Sequence, residues 1–341
     1  MAAAAASTAA GARGDSVRIA VAIHDLPVWS IPPAQVERLA AVLEDDLVVD
    51  ARDPAARRAA FADAEVLFAT RLSAEEFANA ICLRWILSSA VGVGGLLPPA
   101  LVESEVVVTN SRGVHSESIA EHALALILAL RRHLHVAVRR QVAHEWAQAE
   151  MERPVTMPLA NLRVLVIGLG SIGARFAQLA AALGMRVTGI RRRLSEPPPP
   201  GVDEVVGMDR LRDLLPLADV VVLTLPRTDD TRALIGSTEL AAMKPSALLI
   251  NVARGRLIDD GALVDALTSG HIAGAGLDAF AQEPLPPAHP LWNAPNLLIT
   301  PHTAAFTGDY WTPVVDLFLA NVARYKRGEP LANVVDKRQG Y

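Results

Sequence analysis

The sequence predicts an α/β protein of two domains, each a doubly wound parallel sheet. Three observations lead there: apolar runs of strand length alternate with helical stretches in two series, a long apolar helix divides the series, and the second opens on a glycine-rich turn. Alternation of this kind covers both faces of a parallel sheet with helices. At 341 residues the chain is too long for one compact core and suits two.

Met1–Asp15 is rich in Ala, Ser and Gly and holds one basic residue, Arg13. It lacks the basic start and bulky apolar stretch of a secretory signal and reads as a disordered tail. The first series places strands at Val17–Ile23, Val66–Thr70, Trp85–Ser88 and Glu105–Thr109. Pro33–Leu43 reads as a helix between them, because Val36, Leu39, Ala40 and Leu43 recur at helical spacing. Asn110-Ser-Arg-Gly113 breaks the pattern as a loop.

The dividing helix is expected over Ser116–His133, with Ser116 and Ser118 as caps and Arg131 and Arg132 in its last turn. Its apolar run Ala123–Leu130 falls far short of the roughly 20 residues that cross a bilayer, so no membrane partner is expected. A second helix or arm follows over Val138–Met151, closed by Pro154 and Pro158. The second series places strands at Val164–Ile167, Arg186–Ile190, Val220–Thr224, Ala247–Asn251, Ala275–Leu277 and Leu297–Thr300. Helical segments intervene at Ile172–Leu183, Leu211–Leu215, Thr238–Met243 and Gly261–Thr268, and Pro197–Pro200 reads as a stiff local loop. Six such strands describe a dinucleotide-binding sheet. The last helix, Val314–Lys326, has no strand partner of its own and is expected to return to the first domain.

A formal charge of −5 advertises no basic surface for nucleic acid. Cys82 is the only cysteine, so no intramolecular disulfide forms, which fits a reducing, cytoplasmic setting. His115, His122, His133, His135 and His144 lack the spacing that sets two histidines on one helical face, so no metal is expected.

Gly168-Leu-Gly170-Ser-Ile-Gly173 follows the strand Val164–Ile167 and opens a helix. The first glycine permits a tight turn, the second lets backbone approach a pyrophosphate, and the third lets helix and strand pack closely. The phosphates would meet the free N–H groups of the helix N-terminus. Downstream, three segments set chemistry at strand ends: Asn251-Val-Ala-Arg254-Gly255, Leu277-Asp278-Ala-Phe-Ala-Gln-Glu283-Pro284 and Thr300-Pro301-His302. In an open α/β sheet, ligands bind outside the carboxyl ends of the strands. An arginine, two carboxylates and a histidine therefore converge where a nicotinamide would lie.

Together the stretches GLGSIG at 168–173, LLINVARGRLID at 248–259, GLDAFAQEPLP at 276–286 and NLLITPHTAA at 296–305 resemble the D-isomer-specific 2-hydroxyacid dehydrogenase family. The resemblance runs from about Val17 to Val335 and implies a Rossmann cofactor domain, 114–303, inserted in a flavodoxin-like substrate domain of 16–113 and 304–341. It implies hydride transfer between NAD(P)H and a small 2-oxo or 2-hydroxy acid, of glyoxylate or hydroxypyruvate type or larger, by a homodimer joined near residues 120–150. Arg254 resembles the arginine that grips the substrate carboxylate, a task suited to a planar, permanently charged fork. His302 resembles the general acid and Glu283 its partner, since a carboxylate beside a histidine favours the imidazolium and orients the ring. The family's formate dehydrogenases pair that histidine with glutamine, and Glu283 speaks against that branch.

The same resemblance gives Asp278 the nicotinamide carboxamide. It makes Gly168, Gly170, Ser171, Ile172, Gly173, Leu225, Pro226, Val252, Ala253, His302 and Ala304 cofactor contacts, and sets Ile119-Ala-Glu121 beside the nicotinamide. Ala90-Val91-Gly92-Val93 resembles the loop whose backbone N–H groups hold the substrate carboxylate, so Val91 and Gly92 join Arg254 and His302 as substrate contacts. The family usually has aspartate where Gly94 stands. Trp29, Tyr310 and Trp311 are either walls of the substrate pocket or rings in ordinary partial burial. At the end of the second strand, where an acid about 20 residues beyond the fingerprint selects NAD, the chain reads Arg191-Arg192-Arg193. Arginine can bind a 2′-phosphate, so of NADP and NAD the former is favoured, with Arg191 and Arg192 nearest the position. The alternative from another class is a nucleotide-sensing, corepressor-like binding protein.

Overall fold

The computed structural model describes residues 16–23, 29–151 and 158–341. The expected tail Met1–Asp15 and Pro154 lie outside the described residues. The chain divides into two compact units, one built from the chain up to Val114 together with Gly308–Tyr341, the other from His115–Thr307.

The first unit holds five parallel strands: β1 Arg18–Ala22, β2 Leu47–Asp50, β3 Val66–Ala69, β4 Trp85–Ser88 and β5 Val107–Asn110. Their order, β2-β1-β3-β4-β5, is that of a flavodoxin-like doubly wound sheet. β2 is absent from the sequence reading, because as an edge strand it is only half-buried and its four residues, LVVD, make no continuous apolar run. The connecting helices are α1 Pro33–Val42, α2 Pro54–Asp63, α3 Ala74–Asn79 and α4 Pro99–Val102.

In the same unit the last helix, numbered α12 and spanning Trp311–Lys326, presses Val314, Val315, Phe318 and Val322 onto Val21, Phe68 and Trp85 of the sheet. Phe318 stacks on Phe68 with ring centroids 4.5 Å apart. A fully buried aromatic of this kind stabilises by about 1.5–3 kcal/mol.

The second unit opens with α5 Ser116–Arg131, α6 Leu134–Val142 and α7 Gln148–Met151. Neither Ser116 nor Ser118 caps α5: His115 stands at the N-cap and its side chain makes no capping bond, and Ser118 Oγ donates to the His115 carbonyl. The single arm expected over Val138–Met151 is two helices, separated at His144, whose φ of 57° is left-handed. Then follow β6 Arg163–Ile167, α8 Ser171–Ala182, β7 Arg186–Ile190, β8 Glu204–Val206, α9 Leu211–Leu214, β9 Val220–Leu223, α10 Ser237–Ala242, β10 Leu248–Asn251, α11 Asp260–Thr268, β11 Gly274–Leu277 and β12 Leu297–Ile299.

All seven strands are parallel in the order β12-β11-β10-β9-β6-β7-β8. The six-strand expectation lacked β8, again a short edge strand with no fully buried residue. α5 covers one face of this sheet through Ala120, Ala123, Ile127 and Leu130, packed with Val164, Val220 and Ile250. Gly276 in β11 gives it a close seat, since a Cβ there would stand 3.0 Å from Leu126 Cβ. Among the described residues no helix is long and apolar enough to cross a membrane.

Candidate active site

The turn from β6 into α8 shows three glycines with three different constraints. Gly168 has φ +106°, and a Cβ on it would lie 2.7 Å from the backbone nitrogen of Leu225. Gly173 packs so tightly that a Cβ would stand 2.0 Å from the Gly168 carbonyl oxygen. Gly170 differs: it is exposed, nothing lies within 4 Å of where its Cβ would be, and it occupies the N-cap of α8 without capping it. No acidic residue stands in the first turn. The N-terminus of α8, with Ser171 and Ile172 half-buried beside it, thus offers an open, positive end that a pyrophosphate fits. Leu225 is buried against Gly168, and Pro226 beside it is exposed and accepts from Thr231 Oγ1 through its carbonyl.

β10 ends in Asn251, fully buried, whose amide organises the next three residues. Its Nδ2 donates to the Arg254 carbonyl at 2.9 Å, and its Oδ1 accepts from Ala253 N–H at 3.0 Å. Val252 and Ala253 are buried, and the half-buried Arg254 guanidinium donates back to the Ala253 carbonyl. Burial disfavours the charge on Arg254, and the nearby Glu283 carboxylate counters it. Gly255 lies on the neighbouring loop, where a Cβ would fall 1.8 Å from the carbonyl carbon of Phe280. That contact brings the Arg254 loop against the loop carrying Glu283.

Glu283 reaches back to Phe280, whose N–H donates to Oε1 at 2.8 Å, and its Oε2 lies 2.7 Å from His302 Nδ1. Burial pushes the Glu283 carboxyl up. Hydrogen bonds from His302 and Phe280, with the charges of His302 and Arg254, outweigh that push and hold it below the usual carboxylate range. His302 has φ 56°, a left-handed conformation that costs a non-glycine residue about 1 kcal/mol or more.

Asp278, at the end of β11 and 2% exposed, brackets that residue. Its Oδ1 accepts from Thr300 Oγ1 at 2.7 Å and Thr303 N–H at 2.9 Å, and its Oδ2 accepts from Ala304 N–H at 3.0 Å. Sequence reasoning marked Asp278 for a cofactor and showed nothing of this anchoring of the His302 loop. It also missed Asn251 as a brace. An amide at the end of a buried apolar strand was the available signal.

In the first unit, the loop with Val91 and Gly92 is tied down where Asn110 Nδ2 donates to the Val91 carbonyl at 2.8 Å. An aspartate at Gly94 would meet open space. Trp29 packs edge-on against Tyr310, with centroids 5.5 Å apart, and Tyr310 in turn against the buried Trp311. Burial raises the Tyr310 hydroxyl to about 12. Of the arginines after β7, Arg191 folds inward: its guanidinium donates to the carbonyls of Glu196 and Pro197, and its side chain is only 10% exposed. Arg192 is exposed.

Comparison with known proteins points to one enzyme family. The family described as "D-isomer specific 2-hydroxyacid dehydrogenase, NAD binding domain" matches residues 124–304. A glyoxylate reductase of Aeropyrum pernix is 34% identical over 278 residues, 80% of this chain and 82% of its own. A D-isomer specific 2-hydroxyacid dehydrogenase from Xanthobacter autotrophicus, solved with NADPH and MES, is similar at a TM-score of 0.78 and 30% identity, covering 96% of this chain and 100% of its own. The NADPH-dependent glyoxylate/hydroxypyruvate reductase of Sinorhizobium meliloti, solved with NADP and sulfate, gives 0.81 at 26% identity, over 95% of this chain and 99% of its own.

Proposed function

The chain belongs to the D-isomer-specific 2-hydroxyacid dehydrogenase family, and from that premise we propose how its residues divide the work of an NAD(P)-dependent oxidoreductase acting on a small 2-oxo or 2-hydroxy acid. The observation that carries the reading is the gathering of Arg254, Glu283 and His302 behind three adjacent strands, with His302 bonded to Glu283. When bound, the reduced nicotinamide supplies the hydride.

Arg254 grips the substrate carboxylate and polarises the reacting carbonyl. His302 donates a proton to the carbonyl oxygen in reduction and withdraws it in oxidation, while Glu283 accepts from Nδ1 and keeps the ring oriented. For Val91 and Gly92, on a loop of the first unit, the family resemblance supports a role as backbone N–H donors to a substrate carboxylate. Gly168, Gly170, Ser171, Ile172 and Gly173 hold the pyrophosphate. Leu225, Pro226, Val252, Ala253 and Ala304 line the dinucleotide, and Asp278 accepts from the carboxamide.

NADPH is the preferred reductant. The strand end that would carry an NAD-selecting acid carries arginines instead, and Arg192 among them is exposed. The solved X. autotrophicus and S. meliloti relatives hold NADPH and NADP. The acceptor is glyoxylate, hydroxypyruvate or a larger 2-oxo acid. The single, unpaired Cys82 suits a cytoplasmic enzyme. A corepressor-like role finds no support in the relatives named above, which carry enzyme names.

α6 and the turn after it leave Leu134, Val138, Val142 and Trp146 exposed at 49, 57, 78 and 91%, four residues apart. Such a stripe suits burial against a second copy in a homodimer. The test of the function is turnover: a panel of 2-oxo acids assayed with each reduced cofactor, followed by loss of nicotinamide absorbance. A panel without turnover under either cofactor would defeat the reading.

A further inference from the structure

His122 belongs to no role assigned so far, yet it touches the machinery. It sits on α5, which Gly276 lets settle closely onto β11, and its Nε2 lies 2.9 Å from Thr300 Oγ1 and 3.7 Å from Asp278 Oδ1. The proton inventory sets the direction of the chain. Asp278 as a carboxylate only accepts, so the single hydroxyl proton of Thr300 goes to Oδ1. The lone pairs of Thr300 Oγ1 then face His122, and Nε2 must be the protonated nitrogen. A donor chain runs from His122 through Thr300 to Asp278, whose carboxylate also holds Thr303 and Ala304 on the far side of His302.

We infer that His122 is a positioning residue for His302: by donating to Thr300 it locks the Thr300–Asp278 bond that holds residues 300–304 and fixes the left-handed backbone of the histidine. The inference rests on the acid role proposed for His302. A partly buried network with every member satisfied confers rigidity, and one orphaned member loosens the rest. Displacement of a reacting group by about 1 Å can cost roughly 100-fold in rate.

The test compares four single variants and one double variant of the full chain. His122→Phe keeps the ring volume without the donor, and His122→Gln restores a donor. Thr300→Val removes the relay, and Thr300→Ser keeps it. We expect His122→Phe and Thr300→Val each to lower kcat by about 10- to 100-fold, with KM for the 2-oxo acid and Kd for the cofactor within about threefold. The Gln and Ser variants should recover most of the loss, and the Phe/Val double variant should be no worse than the poorer single. If His122→Phe does not fold, the Thr300 pair delivers the same comparison. Unchanged kcat in His122→Phe, or a loss that His122→Gln fails to rescue, overturns the inference. A His302→Ala control that retained full activity would instead overturn the acid assignment beneath it.

Discussion

His302 Nδ1 and Glu283 Oε2 stand 2.7 Å apart, and the other oxygen of that carboxylate accepts from Phe280 N–H at 2.8 Å. Both oxygens therefore serve as acceptors. A glutamine has one acceptor side and one donor side, so Glu283→Gln keeps both contacts only by donating to an unprotonated His302 Nδ1, a bond the imidazolium cannot make. Loss of about 10²-fold in kcat is expected, with cofactor affinity retained. The Glu283 carboxyl is held below the usual range. Its stabilising contribution is then complete above the unfolded value of about 4.3 and is lost as pH falls through the lower folded value. Thermal melts of wild type and Glu283→Gln from neutral pH down to about pH 3 should show a constant gap that closes only at the acid end. A gap closing near neutrality would contradict the assignment.

His302→Ala should cut kcat by about 10²–10⁴-fold with little change in cofactor affinity. In wild type, reduction should slow and oxidation quicken as pH rises, because the donor must hold its proton. Arg254→Lys should also raise KM for the 2-oxo acid, since a point charge cannot reproduce a two-pronged grip. Steady-state kinetics in both directions decide these points, and a wild-type-like Arg254→Lys removes the carboxylate clamp.

Two alanine substitutions in the fingerprint should part company. Gly170→Ala places its methyl in open space above the N-terminus of α8, so the fold should persist while cofactor Kd rises. Gly173→Ala drives a methyl to 2.0 Å from the Gly168 carbonyl and should destabilise by about 1–3 kcal/mol. Calorimetry beside cofactor titration separates the outcomes; a Gly170→Ala protein with wild-type Kd would speak against a pyrophosphate there.

Arg192→Ala should lower kcat/KM for NADPH by about tenfold or more and leave NADH nearly untouched, the loss expected for a charge-assisted hydrogen bond. Arg191→Ala should instead loosen the loop it braces through Glu196 and Pro197, lowering Tm. The measurement is kcat/KM for both reduced cofactors with one substrate. Equal NADH preference in wild type and the Arg191→Ala/Arg192→Ala double variant would refute phosphate recognition by this strand end.

Wild type should sediment as a dimer, and Val138→Asp with Val142→Asp should yield monomers, because both side chains are exposed and lie on one face of α6. A dimer that survives both substitutions excludes this face.

The amino-acid order by itself determined the strands that are buried through and through. Val220–Leu223 and Leu248–Asn251 are apolar runs because helices cover both faces of the sheet, and the GLGSIG turn and the strand-end motifs stand out against them. It did not reveal β2 and β8, whose edge positions demand no continuous apolar run. Tertiary structure alone decided what the polar groups do to one another. Arg191 turns onto Glu196 rather than outward. Asp278 clamps residues up to 26 positions away, and His122 meets Thr300 across 178. Such pairs leave no spacing in the sequence, since packing of a helix on a sheet sets which distant side chains meet, and a buried carboxylate takes whichever donors that packing delivers.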